Sequence, residues 1–267
     1  MTPQSAPRIS ELFRDTLTFT VKHFVALLFA NVIPLLLSYT IVWLTVGAVV
    51  SQINAANSFE EVLAIFSGTS PVTYTMVITG VLVLGISIMG WIAGPLITLE
   101  QDKLKLVEIF PRAARYFWSY FLLSIIVIAG AVMLLLAVFL IITIIITLVG
   151  FIDKTLIATW DAYLVSILPD VSLILYMVAL MFAPYFLIAQ KLTAWQAVQR
   201  SVKLALSSFG HVLLRFLLLA AVIILISFVL QFIPIFGGAL AYLVSSILLT
   251  VYNYYLYKGL TGETDGA

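Results

Sequence analysis

Six long apolar runs, separated by short polar stretches, divide this chain at approximately 24–50, 75–99, 118–149, 171–190, 212–233 and 238–257. About 20 residues of α-helix, rising about 1.5 Å each, cross a hydrocarbon core of about 30 Å, so each run predicts a transmembrane helix. A barrel reading fails, because no run alternates apolar with polar residues as a lipid-facing strand does. Helices also satisfy their own amides, for which lipid offers no partner. The third run is longer than a perpendicular crossing needs and predicts a helix that tilts or projects.

The polar stretches ahead of the first, third and fifth runs carry a second pattern. Ile9, Leu12, Phe13, Thr16, Phe19 and Thr20 recur at helical spacing, while Arg8, Glu11, Arg14, Asp15 and Lys22 occupy the other side. This predicts an amphipathic helix lying in the interface and feeding the first span. Val107-Glu108-Ile109-Phe110-Pro111-Arg112 before the third run and Ala197-Val198-Gln199-Arg200 before the fifth resemble it. Gly94-Pro95 is followed six residues after the Pro by Gln101, and Ala183-Pro184 six residues after its Pro by Gln190. Together these predict three units, 8–90, 91–180 and 181–258, each an interfacial helix followed by a membrane hairpin. The units run in the same direction, so an axis along the membrane normal relates them. The expected fold is all-α and polytopic, in a single integral membrane domain.

Composition supports the membrane as solvent. The 267 residues are 63% hydrophobic and 9% charged, against about 45–50% and about 25% in soluble domains. A net charge of +1, with the basic residues split among loops, excludes nucleic acid as a partner. With no Cys and only His23 and His211, both at span ends, neither a metal site nor a cofactor is expected. The polar start, 1–7, lacks a short apolar core with a cleavage site, so the first span is expected to remain as an uncleaved anchor.

Charge sets the threading. Arg8, Arg14, Lys22, Lys103, Lys105, Arg112, Arg115, Lys191, Arg200, Lys203, Arg215 and Lys258 fall in alternate gaps, leaving Lys154 alone in the others with Glu60, Glu61, Asp153, Asp161 and Asp170. Loops rich in Lys and Arg stay in the cytoplasm, which places both termini there.

Chemistry is sparse. No Asp or Glu lies within the six cores, where ion-coupled carriers tolerate such a residue at about 2.5–3.5 kcal/mol because they use it. Asp153, Asp161 and Asp170 are too scattered to form an acid–base pair. Among embedded polar groups, Asn31, beside Pro34, and Asn253 are candidates for lining a cavity or bonding between helices. Pro34 and Pro184 are candidate kinks, and Gly90 to Gly94 is a small-residue pattern that lets helices approach. Ser58 with Glu61 has capping-box spacing, and Gly237-Gly238 predicts the turn between the last two spans.

The basic side chains Arg14, Lys22, Arg112, Arg115, Arg200, Lys203 and Arg215 lie beside Phe13, Phe19, Tyr116, Phe117, Trp118 and Trp195. They are the candidate contacts for anionic lipid, which attracts each basic residue near the surface by about 1 kcal/mol.

Phe13-Arg14-Asp15-Thr16, the stretch from Ala183-Pro184 to Gln190-Lys191, Arg200-Ser201-x-Lys203 and the aromatic run Tyr252 to Tyr257 resemble the YciC family of bacterial inner-membrane proteins. Part of the pattern is also similar to the membrane domain attached to certain glycerophosphodiester phosphodiesterases, although no catalytic domain follows here. The resemblance implies a polytopic helical fold in the bacterial inner membrane and brings no active site with it. The signature of mitochondrial carriers, Pro-x-acid-x-x-base, is absent after Pro34, Pro95 and Pro184. The expected function is therefore a non-enzymatic organiser of membrane lipids or of a membrane-protein partner at the cytoplasmic leaflet. An uncoupled transporter or flippase-like pathway for an apolar or amphipathic substrate is the alternative.

Overall fold

A computed structural model describes residues 8–56, 58–67, 70–100, 105–152, 154–234 and 236–262. Gln101, Lys103 and Asp153 lie outside them. Among the described residues all regular structure is helical, and six segments are long and apolar enough to cross a membrane. The chain is thus an all-α, multi-pass membrane protein.

The order is α1 (Ile9–Lys22), α2 (Phe24–Ala55), α3 (Phe59–Ile65), α4 (Pro71–Glu100), a short 3-10 turn at Leu106–Glu108, α5 (Ile109–Ala114), α6 (Phe117–Ile152), α7 (Lys154–Leu180), α8 (Ala183–Ala189), α9 (Ala194–Ser207), α10 (Phe209–Leu230) and α11 (Gly237–Thr261). Helices α1, α5 and α9 are the amphipathic elements expected ahead of the first, third and fifth spans. In α1 the buried stripe is Leu12, Thr16 and Phe19. In α9 it is Ala194, Ala197, Ser201 and Ala205, again at helical spacing. Helix α9 opens on a full capping box: Thr193 Oγ1 accepts from the Gln196 amide at 3.4 Å, and Gln196 Oε1 accepts from the Thr193 amide at 3.2 Å. At Ser58 the Glu61 amide donates to Ser58 Oγ at 3.2 Å.

Span boundaries run past the apolar runs at most ends, because helical hydrogen bonding continues through polar residues that hydropathy excludes. The extreme case is α6, whose 36 residues measure about 54 Å. The fourth run is not one helix. Pro184 has no amide hydrogen and its ring crowds the preceding turn, so the chain breaks at Met181-Phe182 and restarts as α8. Pro34, Pro95 and Pro169 sit inside continuous helices. The turn before α11 lies earlier than expected, with 231–234 in turns, and Gly237 already begins the helix. A Cβ there would strike the Leu230 carbonyl, so that position admits only glycine.

Burial is uneven along the bundle. At the end carrying α1, α5 and α9, called here the basic end, two clusters form the core. In α4, residues 92 to 98 are all buried, whereas none of 73–87 is. In α10 the buried residues are Val212, Arg215 and Leu219, and none follows. Val49, Val72, Val138 and Ile142 are buried further out but belong to neither cluster. Beyond the core, side-chain bonds run between the two helices of one hairpin, such as Thr45 Oγ1 to Thr79 Oγ1 at 2.7 Å between α2 and α4.

Helix α11 is the post against which the core is built. Its Tyr252 ring packs on Phe13 of α1 at 5.3 Å, and its Tyr257 ring on Tyr185 and Phe186 of α8 at 5.6 and 5.0 Å. Such pairs add about 0.5–1.5 kcal/mol each beyond the area they cover. Gly94 of α4 meets the same post, a Cβ there coming within 3.0 Å of Thr250 Cγ2. The small-residue pattern thus serves packing inside the chain, a Cβ at Gly90 likewise coming within 3.0 Å of Pro34 Cγ on α2.

Candidate functional site

Three groups of polar side chains stand out at the basic end. The first is the set of basic residues on the interfacial helices. Arg14, Lys22, Arg115, Arg200 and Lys203 are exposed, and Trp118 and Trp195 are 76% and 57% exposed beside them. Arg115 and Lys203 have no ion-pair partner among the described residues. Arg14 lies 3.3 Å from Asp15, an exposed pair that salt screens. Arg200 donates to Gln190 Oε1.

Arg112 and Arg215 differ from these five. Arg112 bridges two carboxylates, Glu100 at the end of α4 and Glu108 at 2.7 Å. The hydrogen bond to Glu100 is the largest influence holding its guanidinium above the ordinary arginine pKa. Its charge is thereby committed to joining α4 to α5. Arg215 is 6% exposed, donating to the His211 carbonyl at 3.3 Å, while its own carbonyl accepts from Tyr252 Oη at 3.0 Å.

The second group repairs helix breaks. Ser201 of α9 is fully buried; its Oγ donates to the Ala179 carbonyl at 2.8 Å and accepts from the Phe182 amide at 3.2 Å, serving both backbone groups at the α7–α8 break. Pro95 cannot donate to the carbonyl four residues before it, Trp91, and Tyr120 Oη of α6 donates there at 3.2 Å. In the sequence Ser201 stands out only within Arg200-Ser201-x-Lys203, and Tyr120 is one aromatic among several at the start of the third run. The available signal for Ser201 was a lone hydroxyl on the alanine stripe of α9.

The third group lies on one face of α11, where Ser246, Thr250, Asn253 and Tyr257 follow each other at helical spacing. Ser246 Oγ donates to Asn31 Oδ1 at 2.8 Å, and Asn31 Nδ2 to the Leu27 carbonyl at 2.8 Å. Thr250 receives Tyr185 Oη on its carbonyl at 2.6 Å. Asn253 is 8% exposed, and its Oδ1 has no hydrogen-bond partner among the described residues. Asn31 thus bonds to α11 and, with Pro34, lines a cavity of about 100 Å³.

No family model, curated protein or solved structure matches this chain. Phe182, Tyr185, Tyr252 and Tyr257 are buried in the basic half, each at 2% exposure or less, with the rings of Phe182 and Tyr185 packed on Tyr257 at 6.4 and 5.6 Å. Among the described residues no cluster of three or more His, Asp or Glu could hold a metal ion.

Proposed function

We propose that this protein is a non-enzymatic component of the bacterial inner membrane, with both termini in the cytoplasm, that gathers anionic lipid at the cytoplasmic leaflet and gives a partner protein a lipid-bound face. The observation that carries this reading is the exposure of Arg14, Lys22, Arg115, Arg200 and Lys203 at one end of the bundle, beside exposed Trp118 and Trp195. Basic heads with amphipathic aromatic anchors suit a negatively charged headgroup layer. The same residues include part of the pattern that resembles the YciC family, and membership of that family belongs to this proposal.

The test is the anionic lipid retained on purification. Replacing Arg115, Arg200 and Lys203 together by Gln is expected to lower retained phosphatidylglycerol and cardiolipin strongly, each charge contributing about 1 kcal/mol or about fivefold. Arg112→Gln is expected to leave retention near the parent level and to lower thermal stability, since its partners are Glu100 and Glu108. Unchanged lipid in the triple variant overturns the lipid reading. Single-Cys labelling at Ser58 and Ser208 in intact cells tests the threading: outside access at Ser208 with none at Ser58 would reverse it.

A further inference from the structure

The cavity beside Asn31 lies away from the basic face, between α2, α4 and α11, and is lined by Ala30, Asn31, Pro34, Leu35, Ser38, Ser87, Gly90, Trp91 and Tyr242. Asn31 and Ser38 stand 7 and 14 residues past the start of α2, roughly 10 and 21 Å along the helix. In a hydrocarbon core of about 30 Å that is the middle of the bilayer. Leu35, Trp91 and Tyr242 are exposed at its edge, so it opens sideways into lipid.

Several hydroxyls in the spans donate to their own helix, as Thr40 does to the Leu36 carbonyl and Thr143 to the Phe139 carbonyl, both at 2.8 Å. Ser38 Oγ is buried without a hydrogen-bond partner, and Ser87 has none among the described residues. Asn31 spends its oxygen on Ser246 and one amide hydrogen on Leu27, leaving the second hydrogen to donate. A largely apolar recess holding three groups with hydrogens to donate, and two aromatic rings at its mouth, matches an apolar ligand that brings acceptors.

We infer that this recess binds the carbonyl-bearing ring of a neutral lipid of the quinone class, Ser38, Ser87 and Asn31 donating to ring oxygens while the tail lies along α2 and α4 in lipid. Depth selects this source of carbonyls. The ester carbonyls of phospholipids lie at the edge of the hydrocarbon core, whereas a quinone ring dissolves within it. The opening at Leu35, Trp91 and Tyr242 gives entry from the bilayer.

The test uses the full chain in nanodiscs of uncharged lipid, with Trp43, Trp118, Trp160 and Trp195 replaced by Phe so that Trp91 alone reports. A benzoquinone with a decyl tail is expected to quench Trp91 saturably, and decylbenzene, which has no carbonyl, to give no saturable effect. Ser38→Ala and Ser87→Ala are each expected to weaken the quinone about tenfold, as loss of one buried hydrogen bond does. A companion protein keeping only Trp43, on the outer part of α2, should show a linear response. Linear quenching of Trp91, or saturation equal in both serine variants, overturns the site. Saturation by decylbenzene as well reduces it to an apolar crevice and overturns carbonyl recognition.

Discussion

The hydroxyl of Tyr120 donates to the carbonyl of Trp91, which Pro95 has deprived of its helical donor. Two distant parts of the sequence, one in α4 and one in α6, thus complete a single helix. In lipid such a carbonyl has no water to turn to, so this bond joins two hairpins by necessity as well as by attraction.

Tyr120→Phe is expected to destabilise the fold by about 1–2 kcal/mol, the range for a membrane-embedded hydrogen bond whose acceptor is left bare. Pro95→Ala restores the missing amide donor and should make the Tyr120→Phe cost shrink toward zero. Reversible unfolding in mixed detergent micelles, run as a double-mutant cycle, reads the coupling. Additive costs would show that Pro95 and Tyr120 act independently.

Ser201→Ala removes the group that serves both Ala179 and Phe182. Two orphaned backbone groups should cost about 2–4 kcal/mol. Amide exchange at Phe182 should accelerate more than exchange at Leu219, which lies in α10 away from the break. Ser201→Thr keeps the hydroxyl and separates a lost bond from a crowded one.

Gly94 tolerates little. A Cβ there needs Thr250 to yield by a few tenths of an ångström, so Gly94→Ala is expected to cost about 1 kcal/mol and Gly94→Leu enough to lose monodisperse protein on size exclusion. Thr250→Ala removes the opposing methyl and should rescue Gly94→Ala. Failure of that rescue would place the constraint elsewhere.

Lys191 links α8 to α9 with φ 51, the left-handed region. An L-residue with a side chain holds that conformation at about 1–2 kcal/mol, so Lys191→Gly should raise the melting temperature slightly despite the greater freedom of glycine in the unfolded chain. A clear fall in melting temperature would contradict this.

These cases show what the sequence makes legible and what it does not. The spans follow from local hydropathy, and α1 and α9 from local periodicity, because a helix in lipid is specified by its own residues. Of the two charges that set Arg112 apart from Arg115 and Lys203, Glu108 is local and Glu100 is not. Arg112 meets Glu100 twelve residues back, and nothing in the run Ile109 to Arg112 announces it. The partnerships of Tyr120 and Ser201 depend on where hairpins dock, 29 and 22 residues from their acceptors. Asn31 was legible as a polar group in an apolar span, yet its neighbours Ser38 and Ser87 were hidden among other hydroxyls. Their place beside Asn31 follows only from how α2 and α4 pack.

The confinement of the core to one end has a consequence for the lipids themselves. At the basic end the protein offers the bilayer a single closed perimeter. Toward the other end the hairpins α2–α4, α6–α7 and α10–α11 each carry apolar side chains that no other hairpin covers. Acyl chains must fill what protein leaves empty, so the two leaflets hold unequal annuli, and in one of them lipid is a structural material of the bundle. Counting motionally restricted spin-labelled lipids leaflet by leaflet would measure that inequality directly.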